Sequence, residues 1–166
     1  VRSAQTLAED CHMLICGSAS LLASFPDLGG PAGPLTSTFD ADICPEPFDE
    51  LTGRMLDEAL GEKRAYFQRH GYHADILRDS ITQTFPAGWR DRLIPVPDVE
   101  NAHALDPHDL AAIKILVGRP KDLALVSNLN ASLRLDGEVV EKRLYSISMS
   151  EAQIVRASVN FRAVFD

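Results

Sequence analysis

Asp40 and Asp42 stand one residue apart in Phe39-Asp40-Ala41-Asp42-Ile43, and that spacing is the clearest pointer to chemistry in the chain. Successive side chains of a strand point to opposite faces, so an extended segment puts Phe39, Ala41 and Ile43 on one side and both carboxylates on the other. Like charges held so close resist ionisation unless a cation lies between them. A hard divalent ion such as Mg²⁺ takes one or two such carboxylates together with substrate phosphate oxygens, which suits phosphoryl or nucleotidyl transfer. A strand with a wet polar face gives the same pattern without any metal.

A third carboxylate would complete a two-metal or base-assisted site. Asp75, in Tyr72-His73-Ala74-Asp75-Ile76, is the best placed because it falls on the next expected strand, although an exposed strand position accounts for it equally. Gly17-Ser18 sits where a strand turns into a helix. Glycine there permits close backbone approach, and the amides of a helix start favour a phosphate; a tight turn with a serine cap is the plainer explanation. Lys114 is the one non-apolar residue of Leu110 to Val117, and a lysine buried in such a helix needs either water or an anion. That anion is a structural aspartate or a nucleotide phosphate. Arg119, Lys121 and Asp122 follow closely; Asp122 falls in the first turn of a helix begun by Pro120, and the break at the proline prevents Lys114 from being phased against it. The five histidines show no zinc-type spacing, and no nucleophile elbow, Walker loop or dinucleotide fingerprint is present.

The elements that must carry these residues follow from periodicity and breakers. A helix is expected from Arg2 to Glu9, a buried strand from His12 to Cys16, and a short helix to Ala23 capped by Ser18 or Ser20. Phe25 to Thr38 reads as a Pro- and Gly-rich loop. The strand of Asp40 and Asp42 ends near Pro45. Phe48 to His70 has helical spacing with a break near Gly61, Tyr72 to Leu77 is a strand, and Arg92 to Val96 and Ala102 to Leu105 are strand-like. Helices are expected over Pro107 to Val117, Pro120 to Leu129, Val139 to Ser146 and Ser150 to Phe161. This order gives an α/β or α+β fold in one domain, 1–166, with a sheet-containing core to about residue 105 and a helical tail from 106.

The 166 residues and 45% hydrophobic content support one ordinary core. No apolar stretch approaches the length of a membrane span or a signal peptide. Cys11, Cys16 and Cys44 form no paired framework and read as reduced, packed thiols of a cytoplasmic protein. A net charge of −8 argues against broad capture of DNA or of an anionic membrane. Eight acids fall between Asp40 and Glu62 against the single base Arg54, while Arg119 and Lys121 belong to a later basic series able to wall a nucleotide-sized anion.

Cys16-Gly17-Ser18-Ala19, Asp40-Ala41-Asp42, Gly88-Trp89-Arg90-Asp91-Arg92-Leu93, Leu105-Asp106-Pro107-His108-Asp109-Leu110 with Lys114, and Arg119-Pro120-Lys121-Asp122 together resemble bacterial nucleotidyltransferase-like proteins of the DUF6036 type, relatives of the AbiEii toxins of type IV toxin–antitoxin systems. The resemblance implies a small mixed sheet with a helical tail. It implies that Gly17 and Ser18 hold triphosphate, Asp40 and Asp42 hold magnesium, Lys114 contacts the nucleotide and Asp122 acts as a further catalytic or orienting carboxylate. It also implies transfer of a nucleoside monophosphate from an NTP to an acceptor, either RNA such as tRNA or protein, with an antitoxin-like partner. The Pro- and Gly-rich approach to Asp40, the acid at Asp75 and the absence of a larger acceptor-binding region depart from that pattern. Two other readings remain: a nucleotide- or partner-binding protein that keeps the scaffold without catalysis, and an interaction domain whose acidic face meets a basic partner.

Overall fold

The computed structural model describes residues 1–31, 33–36 and 38–166. Two residues of the expected loop, Ala32 and Ser37, lie outside the described residues. The chain divides into two compact units, one formed by Val1–Thr82 with Leu93–Leu105, the other by Gln83–Arg92 with Asp106–Asp166.

The first unit is built on a five-stranded mixed sheet. Its strands are β1 (His12–Ile15), β2 (Asp40–Glu46), β3 (His73–Ile76), β4 (Ile94–Pro95) and β5 (Ala102–Ala104), ordered β3-β2-β1-β5-β4. β1 runs antiparallel to β2 and parallel to β5; β2 and β3 are parallel, and β4 and β5 antiparallel. Three helices, α1 (Arg2–Leu7), α2 (Glu50–Leu60) and α3 (Ala65–His70), complete the unit. The alternation expected of β2 is present. Met13, Ile43, Ala74 and Ala102 point into one cluster with Ala4 of α1 and Leu56 and Leu60 of α2, and Ala41 packs against it. Asp49 starts α2 by accepting bonds from the Leu51 and Thr52 amides, both at 2.9 Å. The chain breaks at Gly61, as its sequence suggests.

Two expectations for this unit are revised. The strand foreseen over Arg92 to Val96 shrinks to Ile94–Pro95, because Trp89–Arg92 winds into a 3₁₀ turn and Pro95 and Pro97 lack the N–H that a ladder needs. The loop before β2 is more ordered than its composition suggests. Pro26–Gly29 forms a 3₁₀ turn, Leu28 and Leu35 are buried, and the Leu35 amide donates to the Leu28 carbonyl at 3.1 Å.

The second unit is helical: α4 (Pro107–Val117), α5 (Pro120–Ala131), α6 (Gly137–Leu144) and α7 (Glu151–Phe165). Asp106 caps α4, accepting from the His108 amide at 2.9 Å, with Pro107 at the first helical position. Gly118 closes α4 at φ 70°, a left-handed conformation that favours glycine, and Pro120 opens α5 two residues later. Asp136 caps α6 and draws Gly137 and Glu138 into a helix expected to start at Val139. Ser150 and Gln153 form a reciprocal capping box on α7. The core here holds Leu110, Ile115, Val126, Leu129, Val140, Leu144 and Ala157.

Leu56 is fully buried between α2 and the sheet. Leu56→Ala is expected to cost about 2–5 kcal/mol, read as a lower midpoint in urea denaturation with an unchanged slope.

Candidate functional site

The register of β2 and β3 determines where the acidic residues meet. Asp40 pairs with His73 and Asp42 with Asp75, so both aspartates of β2 and the one on β3 rise from the same sheet surface. One carboxylate oxygen from each of Asp40, Asp42 and Asp75 lies within 4.8 Å of the others. Asp40 and Asp42 are half-buried, whereas the Asp75 side chain is 50% exposed. His73 Nε2 stands 3.4 Å from Asp75 Oδ1, and His73 Nδ1 is buried without a hydrogen-bond partner among the described residues.

Gly17 follows β1 at the same end of the sheet. A Cβ placed on it would overlap the Asp42 carboxylate, so any side chain at 17 would push that acid away. The Cys16 amide donates to the Asp42 carbonyl at 2.9 Å, which ties the turn to β2. Ser18–Ala23 is a 3₁₀ turn with Gly17 at its start, and neither Ser18 nor Ser20 caps it, contrary to the expected serine cap. Ser20 is buried in the turn and its hydroxyl has no hydrogen-bond partner among the described residues. Cys16 and Cys44, beside Asp42, are buried free thiols. Burial, then the neighbouring Cys44, Asp42 and Glu46, pushes the Cys16 thiol well above the ordinary range and leaves it a poor nucleophile.

Sequence reasoning missed a second polar row on this surface. Glu46, His12 and His103 lie on β2, β1 and β5: His12 Nδ1 is 3.5 Å from Glu46 Oε2, and His12 Nε2 is 2.6 Å from His103 Nδ1. The two histidines are 91 positions apart and meet only because β1 and β5 pair in parallel, so no local spacing announces them.

In the second unit Lys114 meets an anion, and the anion is Asp122. Lys114 Nζ is 2.6 Å from Asp122 Oδ1, and Arg119 Nε is 2.5 Å from Oδ2. Lys114 and Asp122 are buried, while the Arg119 side chain is 59% exposed and Lys121 is exposed. The α4–α5 turn achieves the approach that helical phasing could not foresee. Burial alone would raise the Asp122 pKa, but hydrogen bonds from Arg119 and Lys114 outweigh it and hold the carboxyl below its ordinary value.

Asp109, fully buried, is clasped by Arg92 through Nε (2.9 Å) and Nη2 (3.0 Å), with Arg143 Nε at 3.4 Å. Arg92 also donates to the Gly88 and Ala87 carbonyls. The Gly88 to Leu93 and Asp106 to Leu110 motifs therefore hold a structural clamp. Burial outweighs the Arg92 bonds and leaves the Asp109 pKa above its ordinary value.

The chain matches, over residues 2–164, the family described as "Nucleotidyltransferase of unknown function (DUF6036)". No curated protein and no solved structure gives a significant match. Among the described residues no helix is long and apolar enough to cross a membrane.

Asp122→Asn leaves the Lys114 ammonium buried without its counter-charge and is expected to cost about 3–5 kcal/mol. The Asp122 pKa is depressed on folding, so its stabilisation is present above pH 3.8 and fades as pH falls through the lower folded value. Asp109 has the opposite sign: its contribution is fullest below pH 3.8 and declines as pH rises through its raised folded value. Denaturation midpoints of Asp122→Asn and Asp109→Asn against wild type, measured from pH 2 to 7, check both.

Proposed function

The chain belongs to the DUF6036 family of nucleotidyltransferases, and on that premise we propose that it moves a nucleoside monophosphate from an NTP to an acceptor hydroxyl at the Asp40–Asp42–Asp75 surface. The observation carrying this reading is the convergence of three carboxylate oxygens within 4.8 Å on one sheet face. An all-oxygen set of that spacing fits Mg²⁺, whose bonds to oxygen are about 2.0–2.1 Å and which usually takes one or two protein carboxylates with substrate phosphates. When bound, the cation would polarise the α-phosphate and offset charge on the leaving oxygens.

The protein's own part in the reaction is positional and electrostatic. Asp40 and Asp42 would hold such an ion, which would bind the phosphate-bearing end of the NTP. Gly17 leaves room beside Asp42, and Ser18, the first residue of the 3₁₀ turn, has a hydroxyl to offer a triphosphate oxygen. In the transfer the acceptor oxygen bonds to the α-phosphorus, the bond to the bridging oxygen breaks and pyrophosphate leaves. The hydroxyl proton passes to a carboxylate of the trio. In the second unit, Lys114, Arg119 and Lys121 outnumber Asp122 in charge, and that net positive group supports their assignment to nucleotide binding, with Asp122 orienting Lys114. A toxin-like setting with an antitoxin-like partner in the bacterial cytoplasm rests on the motif resemblance to AbiEii proteins and belongs to the same proposal.

Incubation with each α-labelled NTP, Mg²⁺ and total RNA or protein is expected to label an acceptor. NTP binding without incorporation of label would replace transfer by a binding role. Asp42→Asn is expected to abolish the Mg²⁺-dependent heat of NTP binding in calorimetry while circular dichroism stays unchanged. An undiminished heat in that variant would remove Asp42 from the site.

A further inference from the structure

We propose that Phe39, Tyr72, Tyr66 and His70 form the surface on which the end of a single-stranded nucleic-acid acceptor stacks. The inference rests on the transfer reading above and adds the acceptor's class and its place.

The parallel register pairs Asp40 with His73, and the His73 amide donates to the Phe39 carbonyl at 2.8 Å. One residue outward, Phe39 and Tyr72 therefore lie side by side at the end of the sheet, 54% and 52% exposed. The Tyr72 ring stands edge-on to Tyr66 at 5.7 Å and 5.9 Å from His70, and Tyr66 and His70 are 4.5 Å apart. Tyr66 is anchored beneath by its hydroxyl, 3.1 Å from Ser3 Oγ. The patch is thus built before any ligand arrives, with aromatic faces left to water. Successive unpaired bases stack on such surfaces whatever their identity.

The cations around it agree. Residues 63–73 contain no acid in a chain of net charge −8. Arg64 is taken by Asp57 at 3.0 Å, but among the described residues Lys63 and Arg69 are exposed and paired with no carboxylate. They are available to a phosphate backbone.

Two features favour a strand over the base of the NTP itself. The sheet order sets β2 between β1 and β3, so the Gly17 turn after β1 and Tyr72 before β3 fall on opposite sides of β2. In an in-line displacement the attacking and leaving oxygens lie on opposite sides of the phosphorus. With triphosphate at Gly17 and Ser18, the acceptor arrives from the β3 side. Alternation also puts Phe39 and Tyr72 on the sheet surface opposite Asp40 and Asp75, with β3 as the edge between them. A flexible polynucleotide can stack one base on the patch and pass its terminal hydroxyl around that edge. An NTP held through its phosphates stays on one surface.

The test is fluorescence anisotropy of a 5′-labelled single-stranded oligoribonucleotide with a free 3′-hydroxyl, alongside calorimetry of NTP with Mg²⁺. Tyr72→Ala and Phe39→Ala are each expected to weaken oligonucleotide binding about tenfold, Tyr72→Phe to retain it, and Arg69→Glu to weaken it most at low salt, with NTP binding unchanged throughout. Unchanged oligonucleotide affinity in both alanine variants overturns the proposal. So does a parallel loss of NTP affinity, which would assign the patch to the NTP base. Wild-type protein that binds NTP but no oligonucleotide overturns it while the transfer reading stands; wild type that binds neither overturns both.

Discussion

Three carboxylates that bring oxygens within 4.8 Å of one another repel, and the first unit is arranged around holding them there. The constraint is the in-register parallel pairing of β2 and β3. A slip of one residue would turn Asp75 to the apolar face and Ala74 to the polar one. That slip is resisted because Ala41, Ile43 and Ala74 are all committed to the cluster under α1 and α2. The hydrophobic face of the sheet therefore supplies the order, and the acidic face inherits it. Repulsion among the acids is a local cost offset by packing on the other side.

The second unit uses charge differently. Asp109 and Asp122 are both buried acids with two cations apiece, yet their pKa values move in opposite directions. Arg119 and Lys114 hold Asp122 closely enough to overcome desolvation, while the Arg92 clasp on Asp109 does not. Each pair fixes a segment that helix propensity alone would leave loose: the α4–α5 turn in one case, and the 83–92 segment against α4 in the other. The desolvation of such buried charges offsets much of their attraction, so each pair adds little net stability although losing one partner is costly.

What the sequence revealed was local or periodic. Alternation in β2 placed Asp40 and Asp42 together, and the next strand nominated Asp75. The apolar run around Lys114 demanded an anion. Helix starts at Pro107 and Pro120 were legible from proline and capping acids. The rest was hidden for identifiable reasons. The His12–His103 contact and the Arg92–Asp109 clasp depend on chain segments brought together by tertiary pairing. The strand expected at Arg92 failed because the arginine's bonds to Gly88 and Ala87 favour a turn, a competition invisible to periodicity. The serine caps failed because Gly17 is drawn against Asp42 and the following turn winds as 3₁₀ instead.

That contact between Gly17 and Asp42 links two positions 25 residues apart into a single steric unit. A larger residue at 17 becomes tolerable only if 42 shortens or withdraws, and withdrawal at 42 forfeits an acid of the trio. Divergence at these two sites should therefore proceed in tandem or not at all: among descendants of this chain, the one without a side chain and the one with a carboxylate are inherited as a pair.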